Sequence, residues 1–169
     1  MTPPATIRPA IAADAASCAA IYAHYVLHTA CTFEDAPPPA AEFAARINNA
    51  KLFLSAEDAG GEVCGYAYAD VWRTRCGYRF VVETSVYVDA AKAGRGTGKM
   101  LMAALLAQLA KTPTRSAVAT IALPNPASIA LHEKLGFAAC GKLPGIGWKF
   151  DSSHDVGFWL YDFDTQPGR

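Results

Sequence analysis

Three glycines and one carboxylate in the middle of the chain have the types and spacing that a reaction site needs. Gly94, Gly96 and Gly98 follow an apolar run that ends at Val88, and apolar residues recur at helical spacing directly after them. A strand, a glycine-rich turn and a helix N-terminus present unpaired backbone N–H groups and the positive end of a helix dipole, which together bind anions such as phosphates. Glu83 interrupts the apolar run, and a carboxylate there could act as a general base.

The residues alone leave more than one interpretation of this turn open. A P-loop, G-x-x-x-x-G-K-[ST], almost fits the segment 93–100, but Ala93 replaces its first glycine and Met100 replaces the hydroxyl residue that would hold Mg²⁺. The turn could also be an ordinary left-handed connection between a strand and a helix. The mismatches at both ends argue against the P-loop.

Composition indicates one globular domain. The chain has 169 residues, which is enough for one domain with a core and short for two. A hydrophobic fraction of 52% and a charged fraction of 18% argue against disorder. We therefore expect a single domain over residues 1–169.

Charge and hydropathy narrow the partners and the compartment. The formal net charge is zero, so nothing favours nucleic acid or an anionic membrane as a partner. Charges and prolines interrupt every apolar run before it reaches membrane-spanning length, and the N-terminal residues lack a signal-peptide pattern. Five scattered cysteines without a C-x-x-C pair indicate free thiols. These features favour the cytoplasm.

Apolar periodicity predicts the elements that position these residues. A first helix, capped by Asp14, is followed by the connector 37–39 and a second helix over 40–50; the glycine-rich turn starts a third helix, and a fourth covers 128–135. Strands are predicted over 7–9, 52–57, 63–72, 78–88, 117–123, 137–142 and 156–163, with 144–147 as an interruption. The order β-α-α-β-β-β-α-β-α-β-β is that of an α/β fold in which helices cover a largely antiparallel sheet.

His24 and His28 lie four residues apart on the first predicted helix and could grip a metal. No third ligand is near them in the sequence, so a packed or surface pair is the alternative. We expect no metal site.

Two motifs resemble the GNAT superfamily of N-acetyltransferases. The coenzyme A pyrophosphate loop of that superfamily, Q/R-x-x-G-x-G/A, reads here Ala93-Gly94-Arg95-Gly96-Thr97-Gly98, so Ala93 removes any side-chain contact made at its position. The segment N-x-x-[AS]-x-x-[LF]-Y-E-K-x-G-F resembles the run 125–137, with His132 in place of the usual tyrosine. The predicted element order is also the GNAT order.

Further runs resemble one branch, the phosphinothricin acetyltransferases and their relatives that acetylate methionine sulfone and methionine sulfoximine. That branch also has histidine at the position of His132. The similarity covers residues 7–163 and includes the runs 32–33 (TF), 65–69 (GYAYA), 82–88 (VETSVYV) and 154–159 (HDVGFW). It implies an α/β GNAT fold, with a mixed, largely antiparallel central sheet flanked by helices on both faces, and a homodimer.

The resemblance implies transfer of the acetyl group of acetyl-CoA to the α-amine of a small amino-acid analogue. An α-amine is mostly protonated near neutral pH, so a base must take its proton. Glu83 is the candidate, directly or through water, and a salt bridge from Glu83 to Arg75 or Arg79 is the alternative. His132 could protonate the departing thiolate or could be only a packed side chain.

The resemblance also implies the coenzyme contacts. A backbone N–H within 86–88 would polarise the thioester oxygen, and the pantetheine arm would lie along that strand. Asn125 and Ser128 could equally be ordinary helix caps. The predicted coenzyme-binding residues are Val86, Tyr87, Val88, Gly94, Arg95, Gly96, Thr97, Gly98, Lys99, Asn125, Ser128 and Lys134.

The acceptor contacts are predicted from side-chain type. Arg75 is the natural partner of an α-carboxylate, because a guanidinium binds a carboxylate in bidentate fashion. Phe33, Trp72 and Tyr78 would wall the side-chain pocket, and Arg73 is a further candidate.

Two other functions are open. The same chemistry could serve a protein N-terminus or a polyamine, although a polyamine site should be acidic and Arg73, Arg75 and Arg79 crowd the residues before Glu83. The chain could also be a non-catalytic module that only binds acetyl-CoA.

Overall fold

The computed structural model describes residues 5–165, and its elements follow the predicted order. Within these residues the helices are α1 (Ala15–His28), α2 (Ala40–Asn49), α3 (Thr97–Leu109) and α4 (Pro126–Lys134). The strands are β1 (Thr6–Pro9), β2 (Leu52–Glu57), β3 (Val63–Val71), β4 (Val81–Val88), β5 (Ser116–Leu123), β6 (Ala138–Lys149) and β7 (Ser152–Asp162).

One sheet joins these strands in the order β1-β2-β3-β4-β5-β7-β6. Each neighbouring pair is antiparallel except β4 and β5, which run parallel. The parallel pair exists because α3 returns the chain from the end of β4 to the start of β5. The prediction of an α/β fold with a mixed, largely antiparallel sheet is confirmed.

Alternation along the strands gives the sheet two apolar faces. On one face Val82 packs with Leu101 and Leu105 of α3. On the other face Tyr66 and Tyr87 pack with residues of α1 and α2, among them Cys18, Tyr22, Val26, Phe43 and Ile47. Burial of one large apolar side chain contributes roughly 1.5–3 kcal/mol. The helices therefore hold β3 and β4 firmly from both sides.

Three strand boundaries differ from the sequence prediction by at least three residues. β7 begins at Ser152 instead of residue 156. β4 begins at Val81 instead of residue 78, because Cys76–Tyr78 form a 3₁₀ turn. β6 does not stop before Pro144 but continues, and its register against β7 shifts between Leu143 and Gly147. β6 is an edge strand, where a bulge and a proline without an N–H are tolerated.

The predicted side-chain cap of α1 by Asp14 is not formed. The Asp14 carboxylate instead accepts hydrogen bonds from the Ile11 N–H at 3.0 Å and from Ser55 Oγ at 2.9 Å, and it pairs with Arg8 Nη1 at 2.7 Å. The Arg8 guanidinium holds the pKa of Asp14 below its usual value. This network fixes the start of α1 to β1 and β2.

The structure also bears on the expectations about membrane-spanning segments, cysteines and the His24/His28 pair. No helix within residues 5–165 is long and apolar enough to cross a membrane. All five cysteines are free thiols. The rings of His24 and His28 lie 5.1 Å apart, but no group of three or more His, Cys, Asp or Glu side chains in the described part of the chain could hold a metal ion.

Candidate active site

The strands β4 and β5 pair over a short stretch and then diverge. Their parallel register covers residues 81–83 and 116–118, although the strands continue to Val88 and Leu123. β3 follows the outer edge of β4 to Val88, and β7 follows the outer edge of β5 to Leu123. Beyond the paired stretch, the two inner edges have no strand partner within residues 5–165, and a cleft lies between them.

Hydrogen-bond alternation decides which main-chain groups of β4 face this cleft. In an antiparallel pair, alternate residues exchange both hydrogen bonds with the partner strand. The Asp89 N–H donates to the Cys64 carbonyl oxygen at 2.9 Å. Because hydrogen-bonded pairs recur at every second residue, Tyr87 and Ser85 also exchange main-chain hydrogen bonds with their partners on β3. The residues between them must turn their main-chain groups the other way.

Val86 and Val88 consequently direct their N–H groups into the cleft. The Val88 carbonyl oxygen, which is oriented the same way, accepts a hydrogen bond from the Tyr25 hydroxyl at 2.5 Å. The N–H groups of Val86 and Val88 remain free of strand partners within the described chain. An extended ligand with amide groups could add to this edge as a strand would.

A cavity of about 470 Å³, here called the first cavity, follows the divergence. The glycine-rich turn and the start of α3 line one end of it, and α4 lines a side. Each predicted coenzyme-binding residue except Arg95, which is exposed, lines this cavity, and so does His132. The predicted residues that line it are Val86, Tyr87, Val88, Gly94, Gly96, Thr97, Gly98, Lys99, Asn125, Ser128 and Lys134.

The glycine-rich turn has a left-handed backbone at two positions. Gly94 has a φ of 78° and Gly96 a φ of 86°, values that favour glycine because a Cβ would be strained there. Gly96 immediately precedes α3, and no side chain caps that helix. The N–H groups of the first turn of α3 therefore have no helical partner and can bind an anion. An ion pair between Lys92 Nζ and Asp58 Oδ2, 2.6 Å long, ties the turn to the β2–β3 connection.

The N-terminus of α4 differs from that of α3. Asn125 caps α4, because its Oδ1 accepts a hydrogen bond from the Ser128 N–H at 3.1 Å. Asn125 thus has the capping role that the sequence left open, whereas Ser128 lies inside α4 and donates its N–H to that cap. Both residues line the first cavity as well. Of these two helix N-termini, that of α3 is the one prepared for a phosphate.

His132 lies on α4 with only 3% of its surface exposed. Its Nδ1 is 2.8 Å from the Ser128 carbonyl oxygen. A carbonyl oxygen only accepts, so Nδ1 carries the hydrogen and the neutral ring has its lone pair on Nε2. Nε2 has no hydrogen-bond partner among the described residues. Burial lowers the pKa of His132, which favours the neutral ring.

A second cavity, of about 340 Å³, opens on the face of β4 toward α1 and α2. Glu83, Ser85 and Tyr87 line it, because alternate residues of a strand share one face. The two cavities have residues in common, so they meet at the divergence of β4 and β5. The shared residues are Cys31, Ser85, Tyr87, Thr120 and Ala122.

Glu83 is half-buried at the last residue of β4 that pairs with β5. No ion pair within residues 5–165 includes Glu83, so the alternative salt bridge to Arg75 or Arg79 is not formed. The Arg79 guanidinium instead lies 4.4 Å from the centre of the Phe80 ring. The Glu83 carboxylate can therefore accept a proton from a molecule in the second cavity.

Phe33, one of the predicted acceptor residues, lines the second cavity. The β6–β7 hairpin supports it, since a Cβ on Gly147 would lie 2.1 Å from Phe33 Cζ and only glycine leaves room for the ring. The buried Lys149 donates a hydrogen bond from Nζ to the Thr32 carbonyl oxygen at 2.8 Å. These contacts fix the segment between α1 and α2 beside the cavity.

The other predicted acceptor residues line neither cavity. Arg73 lies 5.1 Å from the Trp72 ring, which packs edge-on against Phe158 at 6.1 Å. Arg75 and Tyr78 are exposed in the β3–β4 connection. That connection starts directly after β3, whose last residue lines the second cavity. These four side chains therefore lie outside the cavity, on the connection next to its rim.

Several residues of the second cavity were not predicted from the sequence. They are Tyr22, Thr32, Tyr68, Asp70 and Thr120. A signal existed for Tyr68 and Asp70, because they alternate with small apolar residues on the strand before that of Glu83. The others carry no local signal, since only the packing of distant segments brings them to the cavity.

The family comparison agrees with this geometry. The family model described as Acetyltransferase (GNAT) domain matches residues 7–156. The chain is 39% identical to a phosphinothricin N-acetyltransferase of Streptomyces viridochromogenes, over 95% of this chain and 89% of that protein. It is 38% identical to an L-methionine sulfoximine/L-methionine sulfone acetyltransferase of Pseudomonas paraeruginosa, over 95% of each.

Solved structures show the same architecture with the coenzyme bound. A GNAT superfamily phosphinothricin acetyltransferase of Sinorhizobium meliloti in complex with acetyl-CoA superposes with a TM-score of 0.90 at 38% identity, covering 96% of this chain and 89% of that chain. A Salmonella typhimurium protein with its cofactor acetyl-CoA gives a TM-score of 0.92 at 35% identity, covering 98% of both chains.

The chain therefore belongs to the GNAT acetyltransferase family. It is an acetyl-CoA-dependent N-acetyltransferase, and acetyl-CoA is its co-substrate.

The left-handed turn gives a first prediction. Gly96→Ala should weaken coenzyme A binding about tenfold, because the strained residue moves the N–H groups at the start of α3. Gly61→Ala is a matched control, since Gly61 has a φ of 79° in the β2–β3 turn and open space for a Cβ. Both variants should lose about 1 kcal/mol of stability. Calorimetric titration that finds equal affinities in the two variants would contradict the assigned role of the turn.

Proposed function

We propose that this enzyme acetylates the α-amine of a small amino-acid analogue of the phosphinothricin or methionine sulfone and sulfoximine type. The observation that carries the proposal is the meeting of two cavities where β4 and β5 diverge. The first has the residues predicted for acetyl-CoA, and the second has Glu83 with no cation paired to it within residues 5–165. The names of the relatives support the acceptor class.

The coenzyme would lie along the first cavity. Its diphosphate would accept hydrogen bonds from the N–H groups of residues 94–99, with Lys99 and Lys134 as nearby positive charges. Its pantetheine amides would pair with the free edge of β4 beyond Glu83. This placement brings the thioester to the junction of the two cavities.

The reaction is a direct transfer. The neutral amine attacks the thioester carbon, a C–N bond forms, the C–S bond breaks and coenzyme A leaves as a thiolate. Glu83 takes the proton of the acceptor amine, directly or through water. The Val86 or Val88 N–H donates a hydrogen bond to the oxygen that becomes negative in the transition state.

His132 would first accept a proton at Nε2 and then donate that proton to the leaving thiolate. Its neutral form has a bare Nε2, because Nδ1–H is held by the Ser128 carbonyl. It can protonate the thiolate only after Nε2 has taken up a proton. The acceptor nitrogen loses two protons in the reaction. Glu83 takes the first, which frees the lone pair for attack, and the second, lost after the C–N bond forms, would pass to His132 Nε2 and from there to the leaving sulfur.

The α-carboxylate of the acceptor would extend toward the rim of the second cavity. Arg75 would bind it there in bidentate fashion. Phe33 would cover the acceptor side chain, with Trp72, Arg73 and Tyr78 on the adjoining connection.

The proposal predicts both an activity and its loss. Purified enzyme should release coenzyme A thiol from acetyl-CoA when phosphinothricin, methionine sulfone or methionine sulfoximine is added. Glu83→Gln keeps the shape of the side chain but removes its basicity, so kcat should fall roughly 10²–10⁴-fold with acetyl-CoA affinity unchanged.

Glu62→Gln is the control for that variant, because Glu62 is exposed at the β2–β3 turn and lines neither cavity, and the substitution removes the same charge. If none of the three amines is acetylated, the proposed class of acceptor is wrong. Full activity of Glu83→Gln would remove Glu83 as the base.

We also propose that the enzyme is a homodimer joined through the free edge of the sheet. β6 is an edge strand and is exposed along most of its length. Ile146, Trp148 and Phe150 each expose more than half of their surface near its end, 59%, 64% and 58%, and such an apolar patch favours an interface.

Light scattering tests the dimer. The wild-type enzyme should have the molar mass of a dimer. The double variant Ile146→Ser, Trp148→Ser should have the molar mass of a monomer and should still bind acetyl-CoA. A monomeric wild-type enzyme would overturn the proposed assembly.

A further inference from the structure

Asp70 faces Glu83 across β3 and β4. The two residues are register partners, so their side chains project from the same face of the sheet. They belong to the pairs that exchange hydrogen bonds, in which the Cα atoms lie about 5.5 Å apart. Both residues line the second cavity. The acceptor site therefore has a second carboxylate beside its proposed base.

Neither carboxylate of this pair forms an ion pair within the described residues. No Lys, Arg or His side chain lines the second cavity within residues 5–165, and no ion pair of the described chain includes Asp70 or Glu83. Like charges directly opposite each other on a sheet are unfavourable. The cavity opens onto the coenzyme cleft, so the ammonium group of an acceptor amine is the cation that would relieve the repulsion.

The two acceptor types named for the relatives differ by one charge. Phosphinothricin ends in an anionic phosphinate, whereas methionine sulfone and methionine sulfoximine end in an uncharged group of similar shape. We propose that Asp70 is a specificity-determining residue that makes this enzyme favour the uncharged side-chain end over the phosphinate. The inference rests on the proposed function, because it assigns the second cavity to the acceptor.

The range of the charge supports this role. An acceptor with its amine at Glu83 has its side-chain end within about one Debye length of Asp70 at 0.1 M salt. The repulsion then acts on the phosphinate and not on the sulfone. Effects of Asp70 on the basicity of Glu83, or on the α-carboxylate, are the same for both acceptors and cancel in a ratio.

The test is the ratio of kcat/KM for methionine sulfone to kcat/KM for phosphinothricin. The ratio should favour the sulfone in the wild-type enzyme and, because Asp70 is exposed and water weakens its field, fall about two- to threefold in Asp70→Asn at low salt. Asparagine keeps an Oδ1 that can accept the Val71 N–H, which now donates to Asp70 at 2.7 Å. Glu62→Gln, with the same change in charge, should leave the ratio unchanged.

A measurement on the wild-type enzyme makes the test independent of the folding of the variant. Raising the ionic strength should lower the wild-type ratio more than it changes the Asp70→Asn ratio, because only the wild-type enzyme has the Asp70 charge to screen. If both acceptors are turned over but the ratio responds neither to Asp70→Asn nor to salt, Asp70 has no such role and the proposed function stands. If wild-type enzyme turns over none of these amines, both proposals fall.

Discussion

The incomplete pairing of β4 with β5 is the constraint on which the site depends. Parallel pairing stops at Glu83 and Val118, while β3 and β7 hold the outer edges of the same strands to their ends. The inner edge of β4 therefore keeps N–H groups at Val86 and Val88 without strand partners in the described chain. A bound chain with amide groups would supply the missing partners, so the open edge favours a ligand.

Strand geometry lets β4 contribute to both cavities. Main-chain groups lie in the plane of the sheet, whereas side chains alternate above and below it. The N–H groups of Val86 and Val88 thus point into the first cavity, and the side chains of Glu83 and Ser85 line the second. Apolar cores on both faces fix the strand, with Val82 fully buried. In the proposed reaction, an acetyl donor in the first cavity would therefore meet an acceptor amine in the second where the two cavities join.

Most structural features that depend on neighbouring residues in the sequence were predicted correctly. Glycine spacing and helical periodicity predicted the turn at Gly94 and Gly96, and the start of α3 follows from them. The element order was predicted for the same reason. The end of β6 was not, because a proline and two glycines resemble a break, although an edge strand accepts them as a bulge.

The second cavity was harder to predict because distant segments of the chain build it. Arg73, Arg75 and Trp72 were chosen by residue type within one connection, yet none lines either cavity. The wall that carries Phe33 depends on a hydrogen bond from Lys149 to Thr32 that spans 117 positions of the chain. No local sequence pattern predicts such a long-range contact, and none predicts that β4 and β5 diverge.

Amide hydrogen exchange by NMR, with and without acetyl-CoA, tests the central claim most directly. The account predicts that saturating acetyl-CoA slows exchange at Val86 and Val88 strongly, because those N–H groups gain partners. Ser85 and Tyr87, already bonded to β3, should change little and serve as internal references. Unchanged exchange at Val86 and Val88 in the saturated enzyme would contradict the open edge of β4 as the coenzyme site.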